Sequence, residues 1–429
     1  MTRDTAHPYL MALLNPSGGE PPVTEEGESE WAQAVEGAEA QDLSPIVFRW
    51  LVERSEHRPV LRRLAAGLRP RMAQRAARSM FLAEELALIL KSLDQRGIAC
   101  IPIRGPALAT QLYGDPTARF FGDLDLLVQR TQLSEVGTAL AELDYREVDR
   151  RPGFAKTYSY TLEFVKERPA RVCVEPHWTI AYPPFADCMD MDAVWARAVP
   201  GRVVGVDTLL LSRSDLLLHL CFHLIHKGAQ APLLWWYELD LVIRQEPDTL
   251  DWTQVLHMAR QTGQHELLAG LLGEVRALLG SPIPAPIFTQ LRAPSEPVPR
   301  NFLYRRLTPL LRGDSDVDGR ESLAHLLTMR GFQAKWRYAC GILFPSSDFM
   351  RAHYGLSGRP WLGFRYMARL LYFLWEGGKG LVGLVAIRPT PRQSPPYQAS
   401  LEPPRSITSR RRGSLPQAVA SKPQGPATP

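Results

Sequence analysis

Apolar positions change their spacing twice along the chain, and these changes divide it. Leu82, Leu86, Ile89 and Leu93 recur every three or four residues and predict a helix over about 70–95, ended by Gly97. Shorter helices are expected at about 30–40 and 44–54. Apolar blocks then become short. Residues 98–103 read as a strand, with Pro102 at a sheet edge or near the strand end. Residues 107–113 suit a helix opening just after Gly105. Residues 123–128, Asp-Leu-Asp-Leu-Leu-Val, read as a strand with Leu124 and Leu126 on a packed face and both aspartates on the other. Thr131 is expected to cap a helix whose face holds Leu133, Val136, Leu140 and Leu143. Residues 145–148, 159–165 and 171–175 complete a small mixed sheet, with a turn at 151–153.

From Ser212 onward helical spacing returns. Ser214 or Asp215 caps a helix running to Gly228, and Asp251-Trp252-Thr253-Gln254 has the form of a capping box for a helix ending near Gln261. A helix over 266–279 is closed by Gly280 and Pro282. Further helices are expected at 303–312, 322–330, 334–343 and 361–375. The fold class is therefore α+β. It comprises a flexible segment over 1–28, N-terminal helices over 29–96, an α/β unit over 97–211, an all-helical unit over 212–388 and a tail over 389–429. That tail is rich in Pro, Ser and Arg and holds almost no large apolar side chains, so it is expected to be disordered and solvated.

Charge refines this picture. Residues 389–429 contain six basic side chains and one acidic, +5, which equals the net charge of the whole 429-residue chain. The remainder sums to about zero and offers no electrostatic argument for nucleic acid. The five cysteines form no CxxC pair and lie mostly in apolar runs, as expected of buried thiols in a reducing compartment. The N-terminus has no basic stretch followed by an apolar run, and no window reaches the ~18 apolar residues of a membrane span. A cytoplasmic location follows as the expectation.

The chemistry centres on Asp123 and Asp125. Two carboxylates on one strand face repel each other unless one is protonated or a cation lies between them. A hard divalent ion prefers one or two carboxylates together with phosphate oxygens. Mg²⁺, or Mn²⁺ in its place, is the expected cofactor.

At this stretch the chain resembles the nucleotidyltransferase superfamily, whose signature is a strand, a glycine turn and helix, then a strand bearing Asp-x-Asp, with a third acid on a later strand. Arg104-Gly105 corresponds to the glycine turn, Asp123 and Asp125 to the pair, and Glu175 to the third acid. The chain is more closely similar to a bacterial nucleotidyltransferase-like family reading roughly LKG-x-ALA, R-x-x-x-DIDLLV and LHW, over about residues 31–374. That resemblance implies nucleotidyl transfer from a nucleoside triphosphate to a hydroxyl of a small molecule or protein, with release of pyrophosphate. Asp123, Asp125 and Glu175 would hold metal, and Gly105 with Arg104 would position the triphosphate. The family pattern also emphasises His177 and Trp178, so either Glu175 or His177 can be the third site residue. Pro106, which lacks an N–H, and the absence of a serine after the glycine favour the alternative, a catalytically weak nucleotide-binding or partner-binding module.

His219, His223 and His226 fall within about a 60° arc of one helix. Imidazoles at such spacing can share zinc, but no fourth ligand is evident. The competing readings are a polar stripe that puts His223 and Lys227 on the nucleotide side, or packed histidines. Asp240 is expected to tie helices together. Asp314-Ser315-Asp316-Val317-Asp318-Gly319 imitates the start of a calcium loop but has His325 where the bidentate glutamate belongs, and so reads as an acidic loop.

Overall fold

The structure, a computed structural model, describes residues 7–386 except 16–18, 25–26, 149–152, 183–184, 228–230, 246, 294–324, 327–328, 330 and 355–361. Four helices open the chain: α1 (Pro8–Leu14), α2 (Glu28–Ala40), α3 (Ser44–Glu53) and α4 (Pro59–Gln95). The periodicity did not predict α1, and α4 begins well before residue 70. Pro59 occupies its first turn, where the missing N–H would have no helical partner. Pro70 inside α4 removes one helical hydrogen bond. Burial of Leu61, Ala65, Leu68 and Met72 against Trp31, Val47 and Leu51 offsets that loss.

Five strands form a mixed sheet in the order β1-β2-β5-β4-β3. They are β1 (Cys100–Pro102), β2 (Asp123–Val128), β3 (Arg146–Glu147), β4 (Phe164–Lys166) and β5 (Val172–His177). β2 and β5 pair in parallel, and the other pairs are antiparallel. Pro102 ends the edge strand, as its missing N–H requires. The third and fourth strands are shorter than expected, and β5 runs two residues past Glu175.

Helices α5 (Pro106–Tyr113), α6 (Leu133–Glu142), α7 (Phe154–Tyr158) and α8 (Met191–Ala196) flank the sheet, and β6 (Val199–Val203) pairs with β7 (Val206–Leu210) in a separate hairpin. Thr131 does not cap α6. A tight turn over Arg130–Gln132 absorbs it, and Gln132 takes the cap position without a side-chain bond.

The pleat sorts β2 as expected. Leu124, Leu126 and Val128, with Val172 and Val174, pack against Leu82 and Leu86 of α4 and Val136 and Leu140 of α6. The opposite face carries Asp123, Asp125, Glu175 and His177 and looks toward the helices that follow.

Those are α9 (Arg213–Lys227), α10 (Leu233–Arg244), α11 (Trp252–Gln261), α12 (His265–Leu279), α13 (Ala285–Arg292), α14 (Phe332–Leu343), α15 (Ser347–Tyr354) and α16 (Leu362–Ala386). The cap of α9 is Ser212, two residues before Ser214 and three before Asp215, the expected caps; its hydroxyl accepts from the Asp215 N–H at 3.2 Å. Asp215 is engaged by Arg197 through two bonds of 2.8 and 2.9 Å, and Ser214 donates to the Asp251 carbonyl. Asp251 caps α11 as expected, accepting from Thr253 and Gln254. The reciprocal half of the box is missing, because the Gln254 amide donates to Asp215 instead.

One apolar cluster joins Ile101, Ile103, Leu108 and Leu127 to Leu217, Phe222, Leu239 and Leu271, so sheet and helices share a core. Among the described residues no helix is long and apolar enough to cross a membrane. The helix expected at 303–312, most of that at 322–330, the acidic loop at 314–319 and the tail lie outside the described residues.

Candidate active site

Parallel register builds the site. It sets Asp123 beside Cys173, Asp125 beside Glu175, and Leu127 beside His177. Since side chains alternate along a strand, Asp123 and Asp125 share a face with Glu175 and His177. Asp125 lies at the centre, 2% exposed. Its Oδ1 is 2.9 Å from His177 Nε2 and accepts from Arg104 Nη2, also at 2.9 Å. His177 Nε2 also stands 3.7 Å from Glu175 Oε2. The second oxygen of Asp125 is buried with no hydrogen-bond partner among the described residues.

Arg104 is aimed by the turn after β1. Gly105 adopts φ 57°, ψ −129°, and a Cβ there would lie 3.2 Å from the Asp123 carbonyl oxygen. Only glycine takes that conformation freely, and only glycine leaves room for the strand beside it.

The charges push one another. Burial alone would raise the Asp125 carboxyl, but Arg104 and the His177 hydrogen bond hold it far below its usual range. Burial and the Asp125 charge raise Asp123. Burial, then the charges of Asp125 and Asp123, push Glu175 up to about 7. The face thus carries three carboxyls and one buried guanidinium, an arrangement that attracts further positive charge.

Asp125, Glu175 and His177 offer ligand atoms all within 4.8 Å of one another. With Asp123 next on the strand and an orphaned oxygen on Asp125, the donor set suits a divalent cation.

Helix α9 covers this face. Arg104 Nη1 lies 2.6 Å from His223 Nε2, and the Tyr182 hydroxyl lies 2.7 Å from His223 Nδ1. A guanidinium only donates, so Nε2 accepts and the proton is assigned to Nδ1, which donates to Tyr182. Burial and the Arg104 charge hold His223 well below its ordinary value, consistent with a neutral ring. His219 Nδ1 is 3.0 Å from the Ile180 carbonyl, and burial with the Arg104 charge pushes its pKa down to about 3. His226 stacks on Tyr182 at 4.6 Å, and burial with the Lys227 charge brings it to about 4.

A family model described as "Uncharacterised nucleotidyltransferase" matches residues 27–280, more than half of the chain. The chain belongs to this nucleotidyltransferase family. No curated protein and no solved structure matches it. The nucleotidyltransferase match spans the whole site: the glycine turn, the Asp-x-Asp strand, the β5 strand and the histidine face of α9 all fall inside it.

Within this nucleotidyltransferase frame, Asp123, Asp125, Glu175, His177, Arg104, Gly105 and His223 converge. Lys227 lies exposed at the outer end of α9. Among the described residues the three histidines of α9 do not form a metal-sized group; they pack against Tyr182 and Arg104. Asp240 does tie helices, holding Arg244 at 2.8 Å and accepting from Ser281. Sequence reasoning missed Tyr182, which stands in a loop with no motif around it. It also left Arg119 without a role. That side chain is buried in an ion pair with Glu238 of α10, and its one signal was its place four residues before Asp123.

Proposed function

We propose that the protein transfers a nucleotidyl group from a nucleoside triphosphate to a hydroxyl of a small molecule or protein, with Mg²⁺ or Mn²⁺ as cofactor. The observation that carries this reading is Asp125: buried, ionised, bonded through one oxygen to Arg104 and His177, and with its other oxygen left unmatched beside Glu175. Asp123 and Asp125 would hold the ion, with Glu175 and His177 within reach. Such an ion would supply positive charge against the negative charge that develops during the transfer.

Arg104, held between Asp125 and His223, presents a fixed cation at the mouth of the glycine turn. Glu175, freed of its own proton when a dication binds beside it, takes the proton of the acceptor hydroxyl. The acceptor oxygen forms a bond to the α-phosphorus, the bond from that phosphorus to the bridging oxygen breaks, and pyrophosphate leaves with the electron pair. His177 holds the Asp125 carboxylate in place through its 2.9 Å bond.

The test is calorimetric titration of non-hydrolysable nucleoside triphosphates with and without Mg²⁺, on wild type and on the Asp123→Asn, Asp125→Asn double variant. Metal-dependent binding that the variant loses is the expected result. A folded wild type that binds no nucleotide overturns the transferase reading and leaves the partner-binding module as the alternative.

A further inference from the structure

Helices α14 and α16 concentrate apolar surface. Twelve large hydrophobic side chains are markedly exposed among the described residues, and eight of them lie at residues 332–375. On α16 they are Phe364, Met367, Leu371, Leu374 and Trp375, 56–68% exposed, and at 100° per residue they fall within about a 100° arc. Arg369 points the other way, buried, and donates to the Ile342 carbonyl at 2.9 Å. That bond locks α16 onto α14. On α14, Tyr338 stacks on Phe154 of α7 at 5.6 Å and anchors the pair to the body, while Phe332 and Trp336 stay 82% and 62% exposed.

The same part of the chain is strongly basic. Residues 332–429 contain fourteen Lys and Arg against three Asp and Glu, a net +11. Subtracting that from the chain's +5 leaves −6 for residues 1–331.

An apolar helical stripe with Trp and Phe at its ends, set in a cationic segment, is the composition of a helix that lies in a lipid interface. Anionic headgroups attract each nearby Lys or Arg, and the apolar face supplies the part that charge alone cannot. Nucleic acid would use the cations but leave the leucines and tryptophans in water.

We propose that the α14–α16 unit docks the protein peripherally on an anionic lipid surface, with the α16 stripe entering the interface and Lys335, Arg337, Arg351 and Arg365 supplying positive charge beside the headgroups. The site on the sheet takes no part in this contact, so the proposal stands or falls separately from the proposed activity.

The experiment is co-sedimentation of the full chain with vesicles of phosphatidylglycerol and phosphatidylcholine in equal parts, against phosphatidylcholine alone. Wild type should bind the anionic vesicles and weaken as salt rises. The exposed double change Leu371→Asp, Leu374→Asp should cut partitioning by about tenfold or more per leucine, with unfolding temperature unchanged. Removing residues 389–429 should weaken binding without abolishing it, because the stripe remains. Equal binding to both vesicle types, no binding to either, or a double variant that binds like wild type overturns the proposal. So does sedimentation showing that the wild type forms a dimer that the double variant does not, since the stripe would then cover a second copy.

Discussion

Glu175 is the residue whose protonation the site controls most directly. Its carboxyl keeps its proton to about pH 7 because burial and two neighbouring carboxylates oppose its charge. A dication bound beside it reverses that balance and expels the proton. At about pH 6.5, Mn²⁺ binding should therefore release about one proton in wild type and essentially none in Glu175→Gln. Calorimetry in buffers of different ionisation enthalpy reads this count; equal release from both proteins would refute the assignment. The place of Glu175 was half legible. Its strand could be read from Val172-Cys173-Val174-Glu175, but its position opposite Asp125 depends on a parallel register that packing sets and no local residue announces. His223 was likewise visible by its spacing, while its partner Tyr182 was not, since a loop tyrosine carries no periodic signal.

The decisive connection among the elements is the turn between β1 and α5. Gly105 combines a positive φ with a backbone approach to Asp123, whereas Gly97 has a positive φ, 66°, with nothing near its missing side chain. Gly97→Ala should cost about 1 kcal/mol from conformation alone. Gly105→Ala should cost roughly 1–3 kcal/mol from its strained backbone and also shift the Asp123 strand, so metal binding weakens with it. Thermal melts and Mn²⁺ titration of both variants test this; equal losses would show that the close approach is immaterial.

Elements were legible where one face was strongly apolar, as in β2 and the second half of α4. The β6–β7 hairpin escaped because its turn places Val204 at φ 45°, which no valine advertises. The start of α9 slipped because three closely spaced cap-forming residues, Ser212, Ser214 and Asp215, compete for one cap, and Arg197 takes Asp215 away.

Across the whole molecule, the α9 histidines govern the response to acid. His219 and His226 titrate near 3 and 4, and His223 well below its ordinary value, whereas unfolded histidines bind protons below about pH 6.5. Their depressed values make folding favourable above 6.5, an advantage lost as the pH falls toward 4. Glu175 and Asp123, raised in the fold, act oppositely, binding protons more readily when folded. Three histidines outweigh two carboxyls, so the unfolding temperature should drop as the pH goes from about 7 to about 5. A level or rising profile would contradict this balance.

The pairing of β2 with β5 reaches beyond geometry. Between Val128 and Val172 the chain makes α6, β3, α7 and β4 before it returns to lie alongside the aspartates. Contacts closed over so long a loop form late, because the chain loses its freedom before the contact rewards it. A nascent or partly folded chain can therefore hold Asp123 and Asp125 on a finished strand with no functioning centre around them. The four side chains of the candidate site come together in one step, with the docking of the strand that carries Glu175 and His177.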